Sequence, residues 1–175
     1  MNDTVPFSRR LFFALWPDDA TREALAHATR KAVRASGGRP IPVENLHATL
    51  LFIGSVPVER VPELEAVAAS VPFEPFSLRF NTLDHWHKAK VLCATASETP
   101  AAALQLATSL MSNAAKAGFT PDVKPFRAHV TVARKVVKPH ALGAIGPVDW
   151  SVRGFALAES QTLPEGSRYT VLRFW

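Results

Sequence analysis

The sequence predicts an α+β fold built mainly on antiparallel sheets, and three observations carry that reading. Strand-like and helix-like segments mix without the regular strand–helix repeat of a doubly wound sheet. A His-x-Thr-aliphatic pattern occurs twice, in "NLHATLLFIG" (45–54) and in "RAHVTVAR" (127–134), nearly half the chain apart and each time a turn after a helical segment, which predicts two related lobes. The chain has 175 residues, of which 47% are hydrophobic, enough for one domain with a real core; it is read as a single two-lobed domain over residues 1–175.

Taken in order, "RLFFALW" (10–16) reads as a short buried strand. Ala24, Leu25, Ala28 and Ala32 then fall at helical spacing until Gly37 and Gly38 stop the helix. The turn "GGRPIP" leads into "LHATLLFIG", a second strand ending at a glycine. Pro62 suits a first helical turn, and Leu64, Val67 and Ala68 continue a second, shorter helix. "FSLRFNTLDHW" and "KVLCATA" alternate as two strands joined by the polar "HKAK", most simply an antiparallel pair. Thr99 before Pro100 marks a helix start, Leu104, Ala107, Leu110, Met111 and Ala114 hold the helical period, and Gly118 closes it. "HVTVAR", one strand within "GPVDWSVRGFALAES", and "YTVLRFW" complete the sequence.

Composition narrows the function classes. One cysteine, Cys93, rules out an intramolecular disulfide framework and cannot alone build a structural zinc site, so a reducing, cytoplasmic setting is expected. The apolar run after Arg9 and Arg10 is too short for a signal-peptide core or a membrane span. A net charge of +5 favours an anionic partner. Its distribution is more informative: Lys116, Lys124, Arg127, Arg134, Lys135 and Lys138 surround the second His-x-Thr motif against one acid, Asp122. Basic residues at strand ends also serve solubility alone.

In a strand, alternate side chains share a face, so His47 points with Thr49 and His129 with Thr131. Two such strands across a cleft would offer two imidazoles and two hydroxyls to one ligand. That set suits displacement at phosphorus, where base and acid stand on opposite sides of the reacting atom. Imidazole titrates near neutral pH, so one copy can accept a proton while the other donates, and hydroxyls can donate to non-bridging oxygens. No metal or cofactor is required. A single His-x-Thr is weak, and such a histidine is often only half-buried beside a β-former; the second copy gives the pattern its weight. "HWH" (85–87) lacks an acidic or cysteine partner for a metal and reads as a strand end or cleft rim, while His27 and His140 read as surface residues.

"NLHATLLFIG" with "FRAHVTVAR" resembles the paired signature of the two-histidine phosphoesterase superfamily. The opening "RLFFALWP" and closing "LAESQTLPEGSRYTVLRFW" are similar to the RNA 2′,3′-cyclic phosphodiesterase branch, also called the 2′-5′ RNA ligase family. The resemblance implies a bilobal fold with pseudo-twofold symmetry, a central cleft between two antiparallel sheets and helices outside. It implies hydrolysis of a terminal RNA 2′,3′-cyclic phosphate to a 2′-phosphate, with reversible 2′-5′ ligation as the companion activity. RNA ends are the implied partner, with no membrane, metal or cofactor, and a monomer is expected. Residue by residue, it makes His47 the proton donor, His129 the proton acceptor, Thr49 and Thr131 phosphate contacts, and Arg134 a phosphate-side arginine. Phe12, sharing a face with Ala14, is a candidate either to stack on a base or to pack in the core, and Tyr169 is a lesser candidate of the same kind. Cys93 stands near a position where relatives often carry an aromatic residue. The rival readings are a related enzyme acting on a small cyclic nucleotide, an ADP-ribose cyclic phosphate or a 2′-5′ linkage, and a non-catalytic RNA-end binding module.

Overall fold

The computed structural model describes residues 7–175, and within them hydrophobic alternation becomes two antiparallel sheets. The elements are β1 (Ser8–Leu15), α1 (Asp19–Ala35), β2 (Arg39–Pro40), β3 (Ala48–Pro57), α2 (Val61–Ala69), β4 (Phe76–Trp86), β5 (Val91–Ala96), α3 (Ala101–Lys116), β6 (His129–Arg134), β7 (Gly143–Val152), β8 (Ala156–Leu163) and β9 (Gly166–Phe174). One sheet has the order β3-β1-β8-β9 and the other β2-β6-β5-β4-β7. The two meet where β3 contacts β6, so each lobe brings its His-x-Thr segment to the junction. This is the α+β, two-sheet architecture expected from the sequence.

Strand β1 shows why the lobes are stable and where the cleft begins. Leu11, Phe13 and Leu15 join the main core, while Phe12 and Ala14, on the opposite face, join a small cluster with Ala158. Both faces are covered, which is why "LFFAL" is apolar throughout rather than alternating. The helices bury single stripes: Leu25, Thr29 and Ala32 in α1, and Ala103, Leu106, Ala107, Leu110 and Ala114 in α3. Asp18 caps α1 by accepting from the Thr21 amide at 2.7 Å, and the Thr21 hydroxyl first and its amide second lower the Asp18 carboxyl pKa. Helix α1 packs on β5, β6 and β7, and α3 on β3 and α2.

Four local expectations change. The first turn of α3 is capped by Pro100 with no side-chain bond, because Pro100 itself adopts the extended cap conformation and its carbonyl receives the Ala103 and Leu104 amides. Gly118 ends that helix with φ +81°, as expected of a left-handed stop. Strand β3 continues past Gly54 to Pro57, and Arg39–Pro40 of the "GGRPIP" turn adds a short edge strand to β6. Finally, "GPVDWSVRGFALAES" contributes to two strands, not one: β7 ends at Val152, and β8 starts at Ala156 in the other sheet. Gly154 sits at that crossing against the Trp175 carbonyl, where a Cβ would have no room.

Two bulges then set which side chains reach the cleft. Against β5, Leu92 pairs Ala133 and Cys93 pairs Thr131, leaving Val132 as an extra residue in β6. Against β1, Phe13 pairs Leu51 and Ala14 pairs Thr49, leaving Leu50 extra in β3. An extra residue reverses the side-chain alternation beyond it. Arg134, an odd number of residues after His129, is therefore turned to the same face as His129 and Thr131. By the same shift Phe52 joins His47 and Thr49, making Phe52 the first-lobe counterpart of Arg134.

Candidate active site

His129 is the first residue of β6, and His47 stands one residue before β3. The same local contact fixes both rings: His47 Nδ1 lies 2.7 Å from the Asn45 carbonyl oxygen, and His129 Nδ1 lies 2.8 Å from that of Arg127. A carbonyl only accepts, so each Nδ1–H donates and each Nε2 is left for chemistry. His47, Thr49, His129, Thr131, Arg134 and Tyr169 line one cavity of about 150 Å³. The structure therefore brings together both motif pairs, the arginine and the tyrosine that sequence reasoning singled out.

Aromatic rings surround the imidazoles more fully than the sequence suggested. Trp16 stacks on His47 with 5.2 Å between centroids and 7° between planes, while Trp86 lies 4.4 Å from His129. Tyr169 meets His47 edge-on at 4.8 Å, and its hydroxyl receives the Arg134 Nη2 hydrogen bond at 3.4 Å. Phe12 is only 2% exposed and packs against His47 at 5.1 Å and Tyr169 at 5.6 Å. Its burial supports the packing reading: the ring is a floor under His47, at the base of a cavity it lines with Phe52 and Arg10. Neither tryptophan was singled out from sequence. Trp16 continues the Phe12–Ala14 alternation toward the cleft, which was the available signal.

Trp86 is braced in turn. Asp84 accepts from Arg127 Nη2 at 2.6 Å and from Thr95 Oγ1 at 3.0 Å, and the Arg127 guanidinium lies 5.9 Å from the centre of the Trp86 ring. Trp86 is thus the member of "HWH" that reaches the cleft, while His85 and His87 pack edge-on against each other at 4.4 Å. Among the described residues, no three His, Cys, Asp or Glu side chains group as a metal site, and no helix is long and apolar enough to cross a membrane. Cys93 is fully buried beneath Thr131, with Sγ 3.7 Å from its hydroxyl. Burial pushes its thiol pKa up to about 11, so it serves packing rather than nucleophilic chemistry.

Burial also governs the histidines. It pushes the His47 pKa down from 6.5 to about 4; the Asn45 carbonyl opposes the shift and the nearby Arg134 and His129 charges add to it. His129 is lowered as well, by burial first, against the pull of the Arg127 carbonyl and with help from the Arg127 charge. Both rings are therefore neutral near pH 7 in the unliganded protein. Because the unfolded chain binds the His47 proton near pH 6.5 and the folded one only near 4, this stability is complete above about 6.5 and is lost as pH falls toward 4. The loss is about 3 kcal/mol. Urea unfolding across pH 4–7 is expected to show it, and His47→Gln is expected to remove that part of the slope; a variant with the wild-type slope would refute the assignment.

Comparison with known proteins gives a consistent neighbourhood. A family model described as LigT like Phosphoesterase matches residues 15–93. The chain is 31% identical over 169 residues to the RNA 2′,3′-cyclic phosphodiesterase of Escherichia coli (strain K12), covering 95% of this chain and 96% of that one. It is also 31% identical to the RNA 2′,3′-cyclic phosphodiesterase of Thermus thermophilus, covering 93% of this chain and 87% of the relative. The crystal structure of E. coli LigT complexed with 3′-AMP superposes with a TM-score of 0.88 at 30% identity, covering 97% and 98% of the two chains.

Proposed function

Since the chain belongs to the LigT-like phosphoesterase family, we propose that it hydrolyses the 2′,3′-cyclic phosphate at an RNA end to a 2′-phosphomonoester, using His47 and His129 as acid and base. The observation that carries this reading is the single cavity in which both imidazoles, both threonine hydroxyls and Arg134 converge. A module that only held phosphate would not need two imidazoles with matched Nδ1 contacts.

The direction of proton transfer in this proposal is the one the family resemblance implies, and the two imidazoles lining one cavity are compatible with it. Thr49 and Thr131 hydroxyls and the Arg134 guanidinium hold the non-bridging oxygens, where transition-state charge collects. Neutral His129 offers the Nε2 lone pair and takes a proton from water as the water oxygen bonds to phosphorus. The bond from phosphorus to the 3′ oxygen breaks, and His47 passes its Nε2 proton to that oxygen, leaving phosphate on the 2′ oxygen. His47 is neutral in the empty site, so its proton is stabilised by the phosphate anion when substrate enters; a low intrinsic pKa then makes it a strong donor. A ribose 5′-hydroxyl in place of water would give the 2′-5′ linkage by the same path. Trp16 and Trp86 hold the rings in place. The reading takes the 175 residues as one two-lobed, monomeric domain, and the lone buried Cys93 supports a reducing, cytoplasmic setting.

The test is an oligoribonucleotide ending in a 2′,3′-cyclic phosphate, incubated with the protein in EDTA. Ring opening to a 2′-phosphate is expected. An unopened ring, or a 3′-phosphate product, would contradict the reading.

A further inference from the structure

We propose that the groove leading out of the catalytic cavity, between β2 and the β8–β9 hairpin, holds the RNA strand upstream of the reacting nucleotide, with Lys135 and Arg168 on its phosphates. The inference rests on the reading of the cavity as a cyclic-phosphate site and extends it to the length of substrate the protein selects.

Size is the first support. The catalytic cavity is about 150 Å³ and shares His47, Thr49, Arg134 and Tyr169 with an adjoining one of about 270 Å³; each is below the roughly 300–1,000 Å³ of ordinary ligand sites, so the space at the histidines suits the terminal cyclic-phosphate nucleotide and not the strand beyond it. The groove is about 810 Å³ and shares Ile41, Asn45, Arg134 and Tyr169 with the cavity, so one ligand can pass from one to the other. Charge is the second. Arg39, Arg134, Lys135 and Arg168 line it against two carboxylates, Glu44 and Glu165. With Arg134 committed to the reacting phosphate, Lys135 and Arg168 remain as exposed cations for a polyanion passing along the walls.

The walls are also fixed relative to each other. Arg39 Nη1 donates to the Glu165 carbonyl at 3.2 Å, and the Asn45 amide donates to the Ser167 carbonyl at 3.3 Å. These bonds tie the hairpin of one sheet to the segment preceding β3 and to the edge of the other sheet, so the groove has a defined width. Among its lining residues Tyr169 is the one aromatic ring, and the remaining apolar surface is largely proline, leucine and isoleucine. Single-strand binders that read no sequence combine cations on the backbone with base stacking; here the backbone contacts dominate. Recognition is therefore tolerant of sequence, sensitive to salt, and dependent on strand length.

The experiment compares kcat/KM on a mononucleoside 2′,3′-cyclic phosphate with that on cyclic-ended oligoribonucleotides of about two to six residues, at several salt concentrations. The wild-type protein is expected to gain about tenfold or more with length, a gain that shrinks as salt rises. The Lys135→Ala/Arg168→Ala double variant is expected to lose most of that gain and flatten the salt slope by about one to two units, with mononucleoside turnover within about twofold of wild type. Lys135→Arg/Arg168→Lys is expected to keep the gain. Equal wild-type efficiency on short and long substrates, or an equal loss on both in the double variant, would overturn the proposal. If neither substrate is turned over, the cavity reading itself fails, and the groove is judged by fluorescence anisotropy: the wild type must bind the cyclic-ended hexamer about tenfold tighter than the double variant, or the groove proposal fails too.

Discussion

His129→Ala and His47→Ala are each expected to lower kcat on a cyclic-ended RNA by about 10²–10⁴-fold, the usual contribution of a positioned acid or base. The double variant is expected to fall little further than the worse single one, because acid and base act in the same transition state and their losses do not add. Each ring is held by one carbonyl and by aromatic side chains, Trp86 for His129 and Trp16, Phe12 and Tyr169 for His47, and not by strand pairing, so its removal leaves the strands paired and circular dichroism unchanged. Near-wild-type turnover in either single variant would remove that histidine from the chemistry. Additive losses in the double variant would mean that the two act in separate steps.

Arg134→Ala is expected to cost about 10²–10³-fold in kcat/KM, in the range of losing one transition-state donor from a preorganised site. The guanidinium is well placed for this because the Val132 bulge turns it toward His129 and Thr131, and the Tyr169 hydroxyl accepts one of its hydrogens at 3.4 Å. Arg134→Lys is expected to recover only part of the loss, since an ammonium cannot present two donors in a plane. The opposite lobe has Phe52 at the equivalent place, with the Arg10 guanidinium 5.0 Å from the centre of its ring. Phe52 itself is uncharged, but Arg10 lines a cavity with His47, Thr49 and Arg134, so Arg134→Ala leaves one cation on the first-lobe side of the site. Stability in urea is expected to stay near wild type because the side chain is exposed. A variant with full activity would place the phosphate elsewhere.

The site was legible in the sequence where alternation alone decided it. His47 with Thr49 and His129 with Thr131 needed only the two-residue period of a strand, which β6 carries through His129 and Thr131 and which His47, one residue before β3, shares with Thr49. Arg134 was found through family resemblance, because its odd spacing from His129 predicts the wrong face; only the pairing with β5 reveals the bulge at Val132. Trp86 was hidden by the histidines around it, which invited a question about metals, and its contact with His129 crosses strands that sequence spacing cannot align. The Nδ1 contacts with Asn45 and Arg127 belong to backbone paths into the strands and leave no mark in residue type. In the fold, strands and helices with a clear period were legible. Only one strand is expected within "GPVDWSVRGFALAES", because apolar residues run through it on both sides of Gly154, yet Gly154 marks the crossing between sheets and the segment supplies two.

The direction of proton transfer is the centre of the mechanism, and a substrate with sulfur in place of the leaving 3′ oxygen tests it most directly. Sulfur departs as a thiolate without needing a proton, so it bypasses the acid but still requires the base. His47→Ala is expected to regain most of its lost activity on the sulfur substrate, with its deficit shrinking to about tenfold or less, while His129→Ala stays defective on both substrates. The reverse pattern, with His129→Ala rescued and His47→Ala not, would contradict the account and exchange the two roles.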